Sequence, residues 1–287
     1  MKVFITGGSG FLGTRVIKSL IIDGHNVFAL ARSKSSAKVV ADLGATAVIG
    51  DLSSISTFAT QLRGIEIAVH CAAPVEFWGP WEKYQEGIIN ATSALVNTCE
   101  EMGVKRFVQI SSESVLQDKG PLAGIDETHP YPLEPNSYYG KSKKIAEQTL
   151  LQHAGNMEII ILRPTFIWGP ECPAFSTLTN KVNSGEFMWI DQGQAKFEAV
   201  HVDNVAEAVR LSLTNGKDRN VYFVTDGEAS TVRVFFEELF TSLGLKIPRR
   251  SIPLWLINPI ATFIENVWKK LKLKYFHQIQ MNWSGHD

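Results

Sequence analysis

A tyrosine and a lysine four residues apart are the residues of this sequence best suited to acid–base chemistry. They are Tyr139 and Lys143, in the segment SYYGKSK at 137–143. On a helix this spacing places both side chains on one face, about one turn apart. Free tyrosine has a pKa of about 10, and a nearby cation lowers such a pKa by about 1–3 units. We therefore expect Lys143 to lower the pKa of Tyr139 and to make its phenol an acid and a base near neutral pH.

A glycine-rich turn at the start of the chain could receive phosphate groups. The apolar stretch 2–6 is followed by GGSGFLG at 7–13 and then by apolar residues at helical spacing. In a strand–turn–helix unit of this kind, Gly7 permits the tight turn, Gly10 lets the backbone approach a pyrophosphate, and Gly13 lets the helix pack on the strand. The helix N-terminus adds unpaired N–H groups and partial positive charge. The turn therefore predicts a dinucleotide site, with a glycine turn that binds no ligand as the alternative.

Apolar strands and helical segments alternate along the rest of the chain. Further strands are expected at 26–31, 45–51, 65–71, 106–110 and 158–162, and long helices at about 81–102 and 137–153. Nearly continuous apolar strands separated by helices are typical of a parallel sheet covered on both faces. We predict an α/β fold, a Rossmann-type doubly wound parallel sheet with a smaller C-terminal cap that binds the substrate.

The predicted domains follow from this alternation. Residues 1–170, with a return segment at about 198–225, are expected to form the dinucleotide-binding domain, and residues 171–197 and 226–287 the cap. In doubly wound sheets, ligands bind beyond the carboxyl ends of the strands. Five residues lie at or just after those ends, namely Gly7, Asp51, Cys71, Ser112 and Arg163.

The composition favours a cytoplasmic enzyme. The chain has 287 residues, 45% of them hydrophobic, and a net charge of -1, which argues against nucleic acid as a partner. Its three cysteines, Cys71, Cys99 and Cys172, are scattered and odd in number, so we expect reduced thiols and neither a disulfide framework nor a metal site. The first strand begins at residue 2 and no apolar run reaches about 18 residues, so we expect no signal peptide and no membrane span.

Taken in order, these segments resemble the extended short-chain dehydrogenase/reductase family, of the NAD(P)-dependent epimerase/dehydratase type. The resemblance is carried by TGGSGFLG at 6–13, by the Tyr139–Lys143 pair and by GDL at 50–52, HCAA at 70–73, ISS at 110–112, LRPTFIWGP at 162–170 and HVDNVA at 201–206. It covers roughly residues 2–230. The segments FWGPW, SESV and TDGE, which begin at positions 77, 112 and 225, are closest to the 3β-hydroxysteroid dehydrogenase-like branch.

The resemblance implies a hydride-transfer enzyme in which Tyr139 gives or takes the proton. Lys143 would lower the pKa of the phenol and hydrogen-bond the nicotinamide ribose. Ser112 would hold the reacting oxygen, because a positioned hydroxyl stabilises negative charge that develops there. Ser111 and Ser114 remain alternatives for this role, and the family pattern favours the second serine of the 111–112 pair.

Asn90 is implied as a supporting catalytic residue within the helix expected at 81–102. The corresponding asparagine of the wider superfamily supports a proton relay to the catalytic lysine. The family's usual glycine three positions later is Ser93 here, and packing of Asn90 against the sheet remains the alternative. His70 and His201 stand where the family has structural residues, so neither is expected to bind a metal or to act as a base.

The cofactor is expected to contact the glycine turn, the strand ends and the catalytic pair. The implied contacts are Gly7, Gly10, Phe11, Leu12, Gly13, Arg32, Lys34, Asp51, Leu52, Cys71, Ala72, Ala73, Tyr139, Lys143, Pro164 and Ile167. A carboxylate after the second strand would accept hydrogen bonds from the ribose 2′-OH and favour NAD. Arg32 and Lys34 stand there instead, and a guanidinium suits a 2′-phosphate. We predict NADP(H); in the alternative, Arg32 stacks on adenine and NAD(H) binds as well.

Aromatic residues in two segments predict an apolar substrate pocket. The expected substrate contacts are Phe77, Trp78, Ser112, Glu113, Phe187 and Trp189. An aromatic pocket over the nicotinamide favours a sterol, a long-chain ketone or an aromatic ketone over a nucleotide sugar. In the alternative, many of these rings form the core of the cap.

A basic and apolar segment lies near the end of the chain. Between positions 246 and 274 there are seven Lys or Arg residues and one acidic residue, Glu265. An amphipathic helix within 252–274 would place Trp255 and Trp268 at a membrane surface. Packing on the cap and lining the substrate entrance are the alternatives. The family resemblance also implies a homodimer formed through the two long helices.

Three functions agree with these features. The first is an NADP(H)-dependent alcohol or ketone oxidoreductase of the hydroxysteroid dehydrogenase-like kind, acting on a small apolar molecule. The second is a sugar-nucleotide epimerase or dehydratase with tightly held NAD; the basic end of the second strand and the aromatic cap argue against it. The third is a non-catalytic NADP-binding sensor, against which the intact set of Ser112, Tyr139 and Lys143 argues.

Overall fold

The computed structural model describes residues 1–75, 79–118, 120 and 122–257 of the chain. These residues fall into two units. The first contains Met1–Asp118, Leu122–Gly169 and Val200–Asp226, and the second contains Pro170–Ala199 and the described residues from Gly227 onward. No helix within the described ranges is long and apolar enough to cross a membrane.

The strands and helices alternate as the sequence predicts. The strands are β1 (Lys2–Thr6), β2 (Asn26–Ala31), β3 (Thr46–Ile49), β4 (Ile67–His70), β5 (Arg106–Ile110), β6 (Glu158–Pro164), β7 (Phe166–Trp168), β8 (Trp189–Ile190), β9 (Lys196–Phe197), β10 (Ala199–His201), β11 (Asn220–Val224), β12 (Ser230–Thr231) and β13 (Ser251–Ile252). The helices are α1 (Phe11–Ile22), α2 (Lys34–Asp42), α3 (Trp81–Tyr84), α4 (Ala91–Glu101), α5 (Tyr138–Leu151), α6 (Pro173–Asn183), α7 (Val202–Ser212) and α8 (Val232–Ser242).

Seven strands form the central sheet of the first unit. They are hydrogen bonded in the order β11-β6-β5-β4-β1-β2-β3, and every neighbouring pair is parallel. The strand order reverses beside β1, so the crevice for a ligand lies at the carboxyl ends of β1 and β4. The prediction of a Rossmann-type parallel sheet is confirmed.

The sheet is buried on both faces because its side chains alternate between two cores. Val3 and Ile5 of β1 belong to the core that also contains residues of α1 and α7. Phe4, between them, belongs to the opposite core, with residues of α4 and α5. This alternation with a period of two explains why strands buried on both faces are continuously apolar in sequence.

The long helix expected at 81–102 is irregular in the structure. The predicted helix is present from Trp81 to Glu101, and between α3 and α4 the residues Gln85–Asn90 form a π-helical turn, which the sequence did not predict. Within this turn Gly87 lies against Pro74, where an added Cβ would stand 3.1 Å from a ring carbon. The turn also contacts α5, the helix that carries Tyr139 and Lys143.

The second unit has a core of aromatic rings. Trp189 is 2% exposed; its ring lies 4.9 Å from that of Phe187, and its indole N–H donates to the carbonyl of Pro248 at 2.8 Å. Phe240 packs on Phe187 with a centroid distance of 5.5 Å. The predicted substrate contact of Trp189 is therefore corrected to a packing role, because neighbouring rings cover its surface and its polar atom has a main-chain partner.

Candidate active site

The glycine turn after β1 is shaped by two very close backbone approaches. Gly7 has φ +72°, and a Cβ on it would stand 2.8 Å from the backbone nitrogen of Ala72. A Cβ on Gly13 would stand 2.1 Å from the carbonyl oxygen of Gly7. At Gly10, which precedes α1, an added Cβ would meet a single atom, 3.2 Å away, and no side chain caps the helix. The turn therefore fits a dinucleotide, since the first N–H groups of α1 are free to bind a pyrophosphate and the glycines beside them have no side chain in the way.

A buried hydrogen-bond chain joins the ends of β1 and β4. The Thr6 hydroxyl lies 2.6 Å from Nδ1 of His70 and accepts a hydrogen bond from the backbone N–H of Ala72 at 3.2 Å. Burial lowers the pKa of His70 to about 3, and the charge of Lys143 acts in the same direction. The Thr6 hydroxyl and the neutral His70 ring share a hydrogen bond, and the chain fixes the segment 70–73 against the glycine turn.

Exposed cations and a carboxylate lie after β2 and β3. Two hydrogen bonds from Ser53 to Asp51, from its N–H at 2.8 Å and its hydroxyl at 2.7 Å, lower the pKa of Asp51, and the charge of Arg32 acts in the same direction. Ser33 caps α2 by accepting from the Ser36 N–H at 3.1 Å. Arg32 is exposed next to this cap, so its guanidinium is available to a ligand at the edge of the sheet.

The catalytic candidates meet where α5 lies beside the end of β5. Tyr139 and Lys143 are both buried, at 9% and 3% exposure. The Lys143 Nζ donates to the carbonyl of Ile110 at 2.7 Å and lies 5.9 Å from the centroid of the Tyr139 ring. The Tyr139 phenol is hydrogen bonded to the Ser112 side chain. The structure thus brings together the three residues of the predicted catalytic set, Ser112, Tyr139 and Lys143.

Gly140, between these two residues, is a site requirement that the sequence reasoning missed. A Cβ on Gly140 would stand 2.4 Å from the carbonyl oxygen of Ser114, so α5 can approach the turn after β5 only with glycine here. Ser112 is half-buried, whereas its alternatives Ser111 and Ser114 are buried at 3% and 6% exposure. The signal in the sequence was the glycine inside a helix, which is unfavourable without a packing reason.

The expectation that Lys143 lowers the pKa of Tyr139 is wrong. Burial raises the pKa of Tyr139 to about 12, and the hydrogen bond with Ser112 only partly opposes this. Burial also lowers the pKa of Lys143 to about 8, while the carboxylate of Glu147 acts in the other direction. Spacing alone placed the two side chains together but carried no information about their desolvation. The phenol is therefore neutral at physiological pH, the state in which it donates a proton.

A buried ion pair behind Lys143 was also missed. Glu147, one helical turn after Lys143, accepts from the Arg163 Nη2 at 2.7 Å and from the Tyr131 hydroxyl at 2.6 Å. Glu147 and Arg163 are 0% and 1% exposed. The sequence signal was a carboxylate four residues after a lysine, followed by an arginine within an apolar strand.

The other predicted contacts lie at the same ends of the strands or outside the described residues. Phe11 and Leu12 begin α1, Leu52 begins a 3-10 turn, and Ala72 and Ala73 follow β4; Pro164 ends β6, Ile167 lies in β7, and Glu113 follows Ser112. Asn90 is exposed at the end of the π-helical turn and does not cap α4; its relay role stays a prediction. Phe187 belongs to the second unit, and Phe77 and Trp78 lie outside the described residues.

Three known proteins are similar to this chain over most of its length. A 4-hydroxy-2-methyl-3-oxo-4-farnesyl-3,4-dihydroquinoline-1-oxide ketoreductase of Stigmatella aurantiaca is 33% identical over 94% of this chain and 82% of its own. A decarboxylating sterol-4-alpha-carboxylate 3-dehydrogenase of Dictyostelium discoideum is 34% identical over 95% of this chain and 86% of its own. The crystal structure of a dTDP-glucose 4,6-dehydratase, DesIV of Streptomyces venezuelae, with NAD and TYD bound, is similar with a TM-score of 0.76, at 25% identity over 88% of this chain and 84% of its own.

The family follows from a match that covers most of the first unit. The model of the NAD dependent epimerase/dehydratase family matches residues 3–224, which contain the glycine turn, Ser112, Tyr139 and Lys143. The protein is therefore an NAD(P)-dependent oxidoreductase of the extended short-chain dehydrogenase/reductase type. The chain therefore belongs to the NAD dependent epimerase/dehydratase family.

Proposed function

We propose that this protein is an NADP(H)-dependent oxidoreductase that interconverts a ketone and an alcohol on a small apolar molecule. The observation that carries the proposal is the hydrogen bond between Tyr139 and Ser112 beside the buried Lys143. These groups follow β5 and begin α5, at the same edge of the sheet as the glycine turn after β1.

In ketone reduction, Tyr139, Ser112 and Lys143 have different roles. When bound at this site, the nicotinamide would supply a hydride to the carbonyl carbon, and the carbonyl oxygen would then need a proton. Tyr139, which is neutral because burial raises its pKa to about 12, donates that proton. The Ser112 hydroxyl holds the same oxygen and stabilises its developing charge. Lys143, held by the Ile110 carbonyl at 2.7 Å, would bind the nicotinamide ribose and provides positive charge beside Tyr139.

The phosphorylated cofactor is favoured by the charge after β2. Arg32 and Lys34 are both exposed there, and β2 ends without a carboxylate that would accept hydrogen bonds from a ribose 2′-OH. A guanidinium binds a phosphate through two parallel hydrogen bonds. These features support NADP(H), whereas the family as a whole is NAD dependent.

The substrate class is supported by the two curated relatives. One is named for a farnesylated quinoline oxide and the other for a sterol carboxylate, and both of these molecules have a large apolar skeleton. Phe187 is half-buried in the second unit, and we propose that it contacts such a skeleton. Glu113, half-buried next to Ser112, is proposed to contact a polar substituent near the reacting carbon.

A sugar-nucleotide epimerase or dehydratase is the second candidate. The similarity to the dTDP-glucose 4,6-dehydratase with NAD bound supports it, and such an activity would use Ser112, Tyr139 and Lys143 of this chain. A non-catalytic NADP-binding sensor is the third, but the intact Ser112, Tyr139 and Lys143 set argues against it.

One experiment separates the three candidates. The purified protein is denatured and any released cofactor identified, and fresh protein is then mixed with NADPH and a panel of sterol, long-chain and aromatic ketones. Loss of NADPH absorbance with an apolar ketone supports the proposal. Retained NAD together with turnover of a sugar nucleotide supports the second candidate. Tight NADPH binding without turnover of any panel member supports the sensor.

A cytoplasmic location, a homodimer and a membrane-surface contact through 252–274 stay predictions. Within this segment the structure describes residues 252–257, where Trp255 is 71% exposed and Leu256 is 41% exposed; the rest lies outside the described residues. Co-sedimentation with anionic liposomes, compared between the wild type and Trp255→Ser, tests the contact. Equal sedimentation of the two proteins argues against a role for this ring.

A further inference from the structure

Glu147 lies at the centre of a buried polar cluster between α5 and β6. Its carboxylate accepts hydrogen bonds from Arg163 Nε at 3.1 Å and Nη2 at 2.7 Å. The Tyr131 hydroxyl donates to the same carboxylate at 2.6 Å, and the Arg163 guanidinium carbon lies 5.2 Å from the Tyr131 ring centroid. The carboxylate is therefore held from two sides in one position.

Lys143 lies one helical turn before Glu147, on the same face of α5. It is 3% exposed, and its ammonium donates to the Ile110 carbonyl at 2.7 Å. An ammonium taken out of water loses hydration that a single carbonyl restores only in part. The charged state of Lys143 thus needs a further source of negative potential.

The groups around Lys143 show where that potential comes from. From the β4 side, Cys71 and His70 face it; burial raises the pKa of Cys71 to about 12 and lowers that of His70 to about 3, so both are neutral at physiological pH. On the β5 side, Lys143 donates a hydrogen bond to the Ile110 carbonyl. On α5, its neighbour is the phenol of Tyr139, which is neutral at physiological pH. Within the described part of the chain, Glu147 is the carboxylate that acts on Lys143.

We propose, building on the proposed oxidoreductase function, that Glu147 is a positioning residue that keeps Lys143 charged, with Arg163 and Tyr131 fixing its carboxylate. The cluster does not touch the substrate in this proposal. It sets the pH range over which Lys143 is the cation that binds the nicotinamide ribose. A purely structural ion pair between α5 and β6 would leave the protonation of Lys143 unchanged, which makes the two roles distinguishable.

The test measures the protonation of Lys143 directly. Protein labelled with carbon-13 at lysine Cε is titrated by NMR in the wild type, with Lys143→Met to assign the signal. In Glu147→Gln the midpoint for Lys143 is expected to fall by about one pH unit or more, because an opposite charge nearby is worth about 1–3 units. Glu147→Asp keeps the charge and is expected to restore most of the midpoint. An unchanged midpoint in Glu147→Gln overturns the proposal.

Two further variants serve as controls, one for loss of structure and one for specificity. Glu147→Gln leaves the Arg163 charge buried without its partner, which is destabilising. The double variant Glu147→Gln with Arg163→Met removes both charges. It is expected to show a fall in the same direction that is smaller, because loss of the Arg163 cation favours protonated Lys143. Glu100→Gln is the matched control: Glu100 accepts from the backbone of Asn156 and Met157, both at 3.1 Å, and it does not act on Lys143. Its variant is expected to leave the Lys143 midpoint unchanged; a fall there as well would overturn the proposal.

Activity provides the second readout. The alkaline limb of kcat/KM for ketone reduction is expected to move to lower pH in Glu147→Gln by the same interval as the NMR midpoint. If the wild type reduces no ketone, the proposed function fails while the NMR result still decides the role of Glu147. If the wild type is active and the NMR midpoint does not move, the positioning role fails and the proposed function stands.

Discussion

The ammonium of Lys143 donates a hydrogen bond to the main-chain carbonyl of Ile110, 2.7 Å away. This bond joins α5 to the last residue of β5, two residues before Ser112. Because the ammonium is buried, its pKa falls from 10.5 to about 8, which below about pH 8 corresponds to a stability cost on the order of 3 kcal/mol. The side chain proposed to bind the nicotinamide ribose therefore lowers the stability of the folded protein.

Replacement of this lysine is expected to separate stability from activity. Lys143→Met removes a buried charge at pH 7 and leaves an apolar chain of similar length, so Tm should be unchanged or higher. The kcat for ketone reduction should fall by roughly 100-fold or more, since positioned acid–base groups contribute about 10²–10⁴. Calorimetry and steady-state kinetics measure the two effects, and a lower Tm would contradict the assigned cost of burial.

Removal of the Tyr139 hydroxyl is expected to abolish proton transfer and to spare cofactor binding. Tyr139→Phe should lower kcat by about 10²–10⁴, while the Kd for NADPH changes little. The matched control is Tyr138→Phe: Tyr138 is 47% exposed and packs edge-on against Trp81, so its variant should retain most of the activity. Turnover by Tyr139→Phe at the wild-type rate would remove the phenol from the mechanism.

Two glycines of the turn after β1 are expected to respond differently to alanine. Gly13→Ala places a Cβ 2.1 Å from the Gly7 carbonyl, so both Tm and NADPH binding should fall. Gly10→Ala meets that oxygen at 3.2 Å, so the fold should persist while the Kd for NADPH rises about tenfold or more, because the methyl group occupies the approach to the pyrophosphate. Thermal unfolding and fluorescence titration test the pair. Unchanged NADPH affinity in Gly10→Ala would place the phosphates elsewhere.

Cofactor choice is expected to depend on Arg32. Arg32→Glu puts a carboxylate after β2, where it can accept hydrogen bonds from a ribose 2′-OH and repel a 2′-phosphate. The ratio of the Kd values for NADPH and NADH should rise by about tenfold or more. Lys38→Glu is the control, since Lys38 is an exposed partner of Asp42 further along α2. Equal affinity of the wild type for both cofactors would contradict the NADP(H) preference.

Acid is expected to destabilise the protein through His70. Burial lowers the pKa of His70 from 6.5 to about 3, so below pH 6.5 the unfolded chain binds a proton that the folded protein does not. The contribution of neutral His70 to the free energy of unfolding is complete above pH 6.5. It is lost as pH falls toward 3, by roughly 1.4 kcal/mol per pH unit. Urea unfolding between pH 7 and 5 should show a shallower dependence on pH for His70→Gln than for the wild type. Identical dependences would mean that His70 does not titrate in this way.

The sheet and the glycine turn are predictable because their signals are local. Apolar runs mark the strands, and the spacing of Gly7, Gly10 and Gly13 marks the turn. The predicted strands at 45–51 and 65–71 are longer than the observed β3 and β4 by one or two residues at each end. This difference arises because strand ends depend on the pairing of neighbours.

The parts that sequence reasoning missed depend on segments far apart in the chain. Gly140 is needed because of the Ser114 carbonyl, and Glu147 is fixed by Arg163 and Tyr131. The pKa of Tyr139 lies above its ordinary value because burial raises it more than the hydrogen bond with Ser112 lowers it. Spacing shows which side chains share a face of a helix; it does not show how deeply they are buried.

The π-helical turn Gln85–Asn90 makes this part of the protein sensitive to insertions and deletions. A π-helical turn holds about one residue more than an α-helical turn, and each residue rotates a helix by about 100°. Deleting one residue here would convert the turn to a regular helix and rotate α3 away from α5, separating Trp81 from Tyr138, whose rings lie 5.6 Å apart. Substitutions at exposed positions of this helix leave that alignment intact, whereas a change in its length by one residue does not.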